Sequence, residues 1–196
     1  MFLSDKDILA EVRSGVIVLE PFDKKRLQPA TYDIRLGNTF IVNDAHSTKA
    51  IDPVKKIYPN TQKIEVADGE EFVLHPGVSI LGYSKERFGS EHYLIEVNGK
   101  SSLARIGLIV HNSASIVNPG HYLNIALELC NLNNVPIVLR PEMEIAQLTF
   151  STLTSHTKQN YKNTGRYHAN NFLSYVPPKS GPVSRKSLKK KAVKRK

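Results

Sequence analysis

The stretch Tyr122-Leu123-Asn124-Ile125-Ala126-Leu127-Glu128-Leu129-Cys130-Asn131-Leu132 is rich in apolar residues and stops at Asn133-Asn134. A second short run, Pro136-Ile137-Val138-Leu139, stops at Arg140-Pro141, and a third covers residues 146–153. Short runs of this kind, cut by Asn, Gly and Pro, read as strands joined by turns. Working outward, the same pattern predicts strands at 16–19, 32–36, 39–42, 63–66, 71–74, 78–83, 93–97 and 108–111. The intervening punctuation is Gly37-Asn38, His75-Pro76-Gly77, Asn98-Gly99 and Asn118-Pro119-Gly120. Many short strands at close spacing predict a mainly β fold, a barrel or a sandwich, closed against exposed edges. Two helical pieces interrupt it. Ser4 is placed to cap a helix with Asp7 in its first turn and Leu3, Ile8, Leu9 and Val12 as its apolar stripe, and Gly15 ends it. Residues 100–106 read as a second, short helical segment.

Composition narrows the class. A chain of 196 residues with 40% hydrophobic content suits one domain, or one domain and a tail. It holds no apolar run of the roughly 18 residues that a membrane span needs. Asp5, Lys6 and Asp7 near the start do not look like a secretory signal, so a cytoplasmic protein is expected. The lone cysteine, Cys130, excludes an internal disulfide framework and a Cys-rich zinc site. The net charge of +9 is a local property: residues 179–196 hold nine Lys or Arg and no acid, and the remaining chain balances 18 basic against 18 acidic residues. The domain is therefore not a basic nucleic-acid surface. The tail is expected to be disordered, either as a solvated appendage or as an arm making nonspecific contact with nucleic acid or an acidic partner.

Several chemistries lack their residues. A zinc deaminase needs a ligand-Glu pair and Pro-Cys-x-x-Cys, and this chain has neither. There is no P-loop, Gly-x-Gly-x-x-Gly or Gly-x-Ser-x-Gly, and the seven His show no ligand spacing. Two segments remain. Gly99-Lys100-Ser101-Ser102-Leu103-Ala104-Arg105-Ile106-Gly107 puts two hydroxyls and two cations into one helical turn, with Ser101 and Arg105 on one face. That is either an anion site or a capped helix start. In residues 125–129, Glu128 interrupts an apolar strand. It is either a buried carboxylate that needs a partner or a task, or an outward residue of an alternating strand.

These segments resemble the dCTP deaminase family of the dUTPase-like superfamily. The resemblance runs through Phe2-Leu3-Ser4-Asp5-Lys6-Asp7-Ile8, residues 28–37 (Gln-Pro-Ala-Thr-Tyr-Asp-Ile-Arg-Leu-Gly) and residues 99–107. It continues through the Asn118-Pro119-Gly120 turn with Leu127-Glu128, and Ile145-Ala146-Gln147-Leu148. It implies a distorted jelly roll or β-barrel core over 1–155, an arm over 156–176 that closes on the active site, and a tail over 177–196. It also implies conversion of dCTP to dUTP and ammonia in homotrimers with shared active sites, without zinc, Mg²⁺ arriving with the triphosphate. In the roles so implied, Glu128 shuttles protons at cytosine C4, a task suited to a carboxyl whose pKa is raised by apolar surroundings such as Leu127 and Leu129. Ser101 and the carbonyl of Ala114 hold the water, and Arg105 pairs with Glu128. Lys100 and Ser102 face phosphates, Asn118 the sugar hydroxyl, and Tyr161, Arg166 and Asn170 the triphosphate from the arm.

The chain departs from the family pattern at Ile116, where arginine is usual, at Asn118, where aspartate is usual, and at Lys100, again for arginine. The arm carries Arg166 and Asn170-Asn171 in place of Lys and Gln-Gln. Two alternatives follow. One is a bifunctional enzyme that carries dUTP on to dUMP. The other is a non-catalytic nucleotide-binding relative whose basic tail reaches nucleic acid.

Overall fold

The structure is a computed structural model in which residues 1–165 are described. Arg166, Asn170 and the basic tail lie outside them. The described residues fall into two compact units, Met1–Val42 with 62–165, and the excursion 43–61.

The first helix, α1 (Asp5–Ser14), forms as its sequence requires. Ser4 and Asp7 make a reciprocal capping box, and Gly15 ends the helix in the left-handed region at φ 78°, where a side chain is strained. Ile8 carries its buried face.

Twelve strands follow: β1 (Ile17–Glu20), β2 (Tyr32–Arg35), β3 (Thr39–Asn43), β4 (Thr61–Glu65), β5 (Phe72–Leu74), β6 (Ser79–Ser90), β7 (Tyr93–Gly99), β8 (Leu108–Ile109), β9 (Ile116–Val117), β10 (Leu123–Asn131), β11 (Ile137–Leu139) and β12 (Glu144–Thr152). Two short helices, α2 (Ser101–Ala104) and α3 (Tyr161–Thr164), and a 3-10 turn at Lys24–Arg26 complete the described chain. One sheet runs β4-β3-β6-β10-β8 with β1 also on β6, a second runs β2-β12-β7-β9, and β11 pairs with β5. The sheets are jelly-roll-like and do not close into a barrel. Their inward residues, including Tyr32, Ile34, Phe40, Phe88, Leu127, Leu129, Leu148 and Phe150, form one core.

The longest strand, β6, organises the first sheet. It pairs with β10 on one side, while β1 takes Arg87 to Ser90 and β3 takes Leu81 on the other. The sequence predicts only its first half, because Ser84-Lys85-Glu86-Arg87 carries no apolar residue to continue the pattern. The carboxylate of Glu86 is instead fully buried, bound by Arg35 through its backbone N–H at 2.7 Å and its Nε at 2.6 Å. A bulge in β10 lies alongside. There the Asn124 amide donates to the carbonyls of Ser84 and Lys85, and the Ser84 hydroxyl accepts from the N–H of Ile125. The polar run thus stays in the strand because each of these groups has a partner.

The excursion 43–61 is built from polar turns. Asp44 and Asn60 bond through their backbones at 2.8 Å, the Ser47 hydroxyl accepts from the N–H of Asn60, and Asp52 caps the turn at Val54 and Lys55.

Candidate active site

Strand β7 ends at Gly99 and delivers the chain directly into α2, whose N-cap is Lys100 without a side-chain cap bond. Ser101 and Ser102 therefore do not cap this helix, and among the described residues their hydroxyls make no hydrogen bond. They line a polar pocket of about 400 Å³ with Gly99, Lys100, Gln28, Thr31, Asp33 and Gln147. The register brings these together: Gly99 lies opposite Ala146 in the β7–β12 pair, and Gln147 lies opposite Asp33 in the β2–β12 pair.

The wall of the pocket is a network of charges. Lys100 Nζ lies 2.7 Å from Asp33 Oδ2 and 2.7 Å from Glu144 Oε2. Gln28 donates to Asp33 at 3.1 Å, and Arg26 donates to Glu144 at 2.9 Å. Burial pulls the Lys100 ammonium down, but the hydrogen bonds that it donates to Asp33 and Glu144 outweigh it and hold its pKa above the ordinary lysine value. Lys100, expected to face phosphates, shares its charge here with two carboxylates. Lys100→Ala is accordingly expected to act twice. It raises the apparent Michaelis constant for a triphosphate, and it lowers the melting temperature because Asp33 is left buried with Gln28 as its remaining donor. Steady-state kinetics and a melting curve on one sample check both.

Glu128 lies on β10 opposite Leu81 of β6. Strand alternation sends Leu127 and Leu129 into the core, both fully buried, and turns Glu128 to the other face, where it is half-buried. The expectation that its two neighbours supply apolar surroundings fails for that reason. Its carboxylate accepts from the backbone N–H of Asn112 at 3.2 Å. The same loop runs on to Ala114, which is exposed. Arg105 is also exposed, and among the described residues of the single chain no ion pair joins it to Glu128. Neither Glu128 nor Arg105 lines the pocket that holds Ser101.

The third segment is the turn at 118–121. Gly120 takes φ +84°, and its N–H donates to Ser90 O at 2.8 Å. A Cβ there would also collide with the amide of Asn160. Asn118 is exposed, and its carbonyl accepts from the N–H of His121. Tyr161, expected over the triphosphate, stacks on the ring of His121 with centroids 4.0 Å apart. Ile116 is 56% exposed on β9, opposite Glu96. The structure thus brings Lys100, Ser101 and Ser102 together, and ties Tyr161 to the turn that carries Asn118 through Pro119 and His121. Glu128 and Ala114 do not line the pocket of Ser101. Sequence reading gave no role to Asp33, Gln28, Thr31, Gln147 or Glu144. The signal was present at Asp33, an acid inside the apolar strand Tyr32-Asp33-Ile34, by the same argument that drew attention to Glu128.

A family model described as dCTP deaminase-like matches residues 2–153. A protein of Salinispora tropica named "dCTP deaminase, dUMP-forming" is 41% identical over 162 residues, which is 82% of this chain and 84% of that protein. One of Mycolicibacterium gilvum with the same name is 43% identical over 162 residues, 82% and 85% of the two chains. Among solved structures, the 2'-deoxycytidine 5'-triphosphate deaminase from Agrobacterium tumefaciens superposes with a TM-score of 0.59 at 22% identity over 86% of this chain. The chain spans about half of that longer one, 52%. The likeness shows that this chain has the mainly β fold of that deaminase. The sequence similarity goes further: the chain belongs to the dCTP deaminase family. Among the described residues no helix is long and apolar enough to cross a membrane.

Proposed function

We propose that this protein hydrolytically deaminates dCTP and carries the product on to dUMP. The observation that carries the reading is the identity of 41% over 82% of the chain with an enzyme named for forming dUMP. It replaces the expectation of dUTP as the released product. The first step adds water at cytosine C4 and releases ammonia, giving dUTP. The second adds water at the α-phosphorus and releases pyrophosphate, giving dUMP.

In the first step Glu128 takes a proton from the attacking water and gives one to the departing amine. Ser101 and the carbonyl of Ala114 hold that water, and Arg105 orients the carboxylate. Lys100 and Ser102 take the phosphates, Asn118 takes the sugar hydroxyl, and Tyr161 with the arm residues Arg166 and Asn170 completes the triphosphate site. These groups are divided within one chain, since Glu128 and Arg105 lie outside the pocket of Ser101. A homotrimer in which a second copy brings Glu128 to the pocket completes the site. The polar character of that pocket suits Mg²⁺ carried by triphosphate oxygens, because Asp33 and Glu144, its nearby carboxylates, are both engaged by Lys100. The enzyme acts on the cytoplasmic nucleotide pool and needs no zinc for the proton transfers assigned here.

A second reading, release of dUTP without the second step, is favoured by Asn118, an amide at a turn position where the family carries a carboxylate. An amide donates and accepts hydrogen bonds but does not take up a proton from water. Products of the wild type and of Asn118→Asp, resolved by anion exchange, separate the two. The proposal expects dUMP and pyrophosphate from both proteins. Accumulation of dUTP by the wild type, with dUMP appearing in Asn118→Asp, establishes the second reading.

A further inference from the structure

Three stretches that are distant in sequence meet at Glu91. It sits in the corner between β6 and β7, which Ser90 stiffens. The Ser90 hydroxyl donates to Val16 O at 2.8 Å and accepts from the N–H groups of His92 and Tyr93, at 3.1 and 3.3 Å. The Ser90 carbonyl accepts from Gly120, so the corner also holds the 118–121 turn. From this fixed point the carboxylate of Glu91 reaches the start of the C-terminal arm. One oxygen accepts from the Asn160 amide and the other from Lys162 Nζ. Asn160 Oδ1 in turn caps α3 by accepting from the N–H of Lys162 at 2.9 Å.

The arm also grips the turn directly. The N–H of Tyr161 donates to Pro119 O at 3.1 Å, and its ring covers His121. Lys162 Nζ lies 5.1 Å from the centre of the Tyr122 ring, which Arg87 approaches from 5.7 Å. The Asn160 amide fills the space that a side chain on residue 120 would need. Hydrogen bonds from Lys162 hold the Glu91 carboxyl below the usual carboxylate value, and Glu91 raises Lys162 in return, so the pair is ionised at neutral pH.

We infer that Glu91 is a positioning residue: it clamps residues 160–162, the root of the arm, onto the 118–121 turn, so that this root and the turn are held in one geometry for the nucleotide. This rests on the proposed reading that a nucleotide binds at that turn. Glu91 touches no reacting group, and its influence passes through Asn160 and Lys162. Its loss frees the arm root without disturbing the core, so it weakens substrate capture and leaves the chemical step alone.

The test uses the full-length protein as wild type, Glu91→Gln and Glu91→Ala. The Gln variant keeps an acceptor for Asn160 and loses the charge opposite Lys162; the Ala variant loses both. Native trypsin digestion is timed for the cut after Lys162, with the cut after the exposed Lys55 as internal control, and steady-state kinetics are run on dCTP with Mg²⁺. Glu91→Ala is expected to cut after Lys162 roughly fivefold faster and to raise the Michaelis constant roughly fivefold with kcat unchanged, as an ion pair at the surface allows. Glu91→Gln is expected to lie between it and the wild type. An unchanged cut after Lys162 overturns the clamp. A faster cut with an unchanged Michaelis constant overturns its positioning role, and so does a parallel fall of kcat and melting temperature. If the wild type shows no turnover of dCTP, the functional reading has failed, and the digestion ratio still decides whether Glu91 holds the arm.

Discussion

Glu128→Gln is expected to keep the fold and nucleotide binding while lowering dCTP turnover by roughly 10³-fold, the scale of losing a group that transfers a proton. The substitution is nearly isosteric. Its amide oxygen can still accept from the N–H of Asn112, the bond that holds the carboxylate at 3.2 Å. Packing should not change either, since the side chain lies on the half-buried face of β10 and Leu127 and Leu129 fill the core behind it. What disappears is the capacity to take a proton from water and return one to the leaving amine. The measurement is kcat beside calorimetric binding of dCTP in the same variant. Turnover within tenfold of the wild type would remove Glu128 from the chemistry.

The largest stability effect is expected at Glu86, which does not line the Ser101 pocket. Glu86→Ala leaves Arg35, whose side chain is 14% exposed, without the partner that accepts from its Nε at 2.6 Å. It also removes the acceptor for the backbone N–H of Arg35. Breaking a buried, hydrogen-bonded pair from one side costs about 3–5 kcal/mol, because one charge remains desolvated. Part of this is offset by Glu142, which bonds Arg35 Nη1 at 2.7 Å from an exposed position, so the lower end applies. For a domain of this size the melting temperature should fall by roughly 6–12 °C. A calorimetric melt checks it, and a shift under about 2 °C would mean that water or Glu142 replaces the lost partner.

The two substitutions mark what the sequence discloses and what it conceals. Helix α1 was legible to its ends, because Ser4, Asp7 and Gly15 each do a local job that needs no tertiary partner. The strands with apolar alternation were legible as well, and their number and spacing pointed to a β barrel or sandwich, while the jelly roll came only from the family resemblance. The second half of β6 was hidden, since Ser84 to Arg87 stay extended through partners distant in the chain, among them Glu20, Arg35 and Asn124. Strand β9 is two residues long, and its pairing with β7 leaves no periodicity to read. At the site, Ser101, Ser102 and Glu128 stand out by local chemistry. The engagement of Lys100 by Asp33 and Glu144, and the clamp at Glu91, depend on which strands lie side by side. The separation of Glu128 from the Ser101 pocket within one chain is likewise a fact of topology that no local pattern carries.

The most direct test of the central claim is product analysis of the purified full-length protein with dCTP and Mg²⁺, using anion-exchange chromatography with ammonia detection. The account predicts ammonia together with dUMP and pyrophosphate in equal amounts. The absence of ammonia from dCTP, in protein shown by calorimetry to be folded, would contradict it.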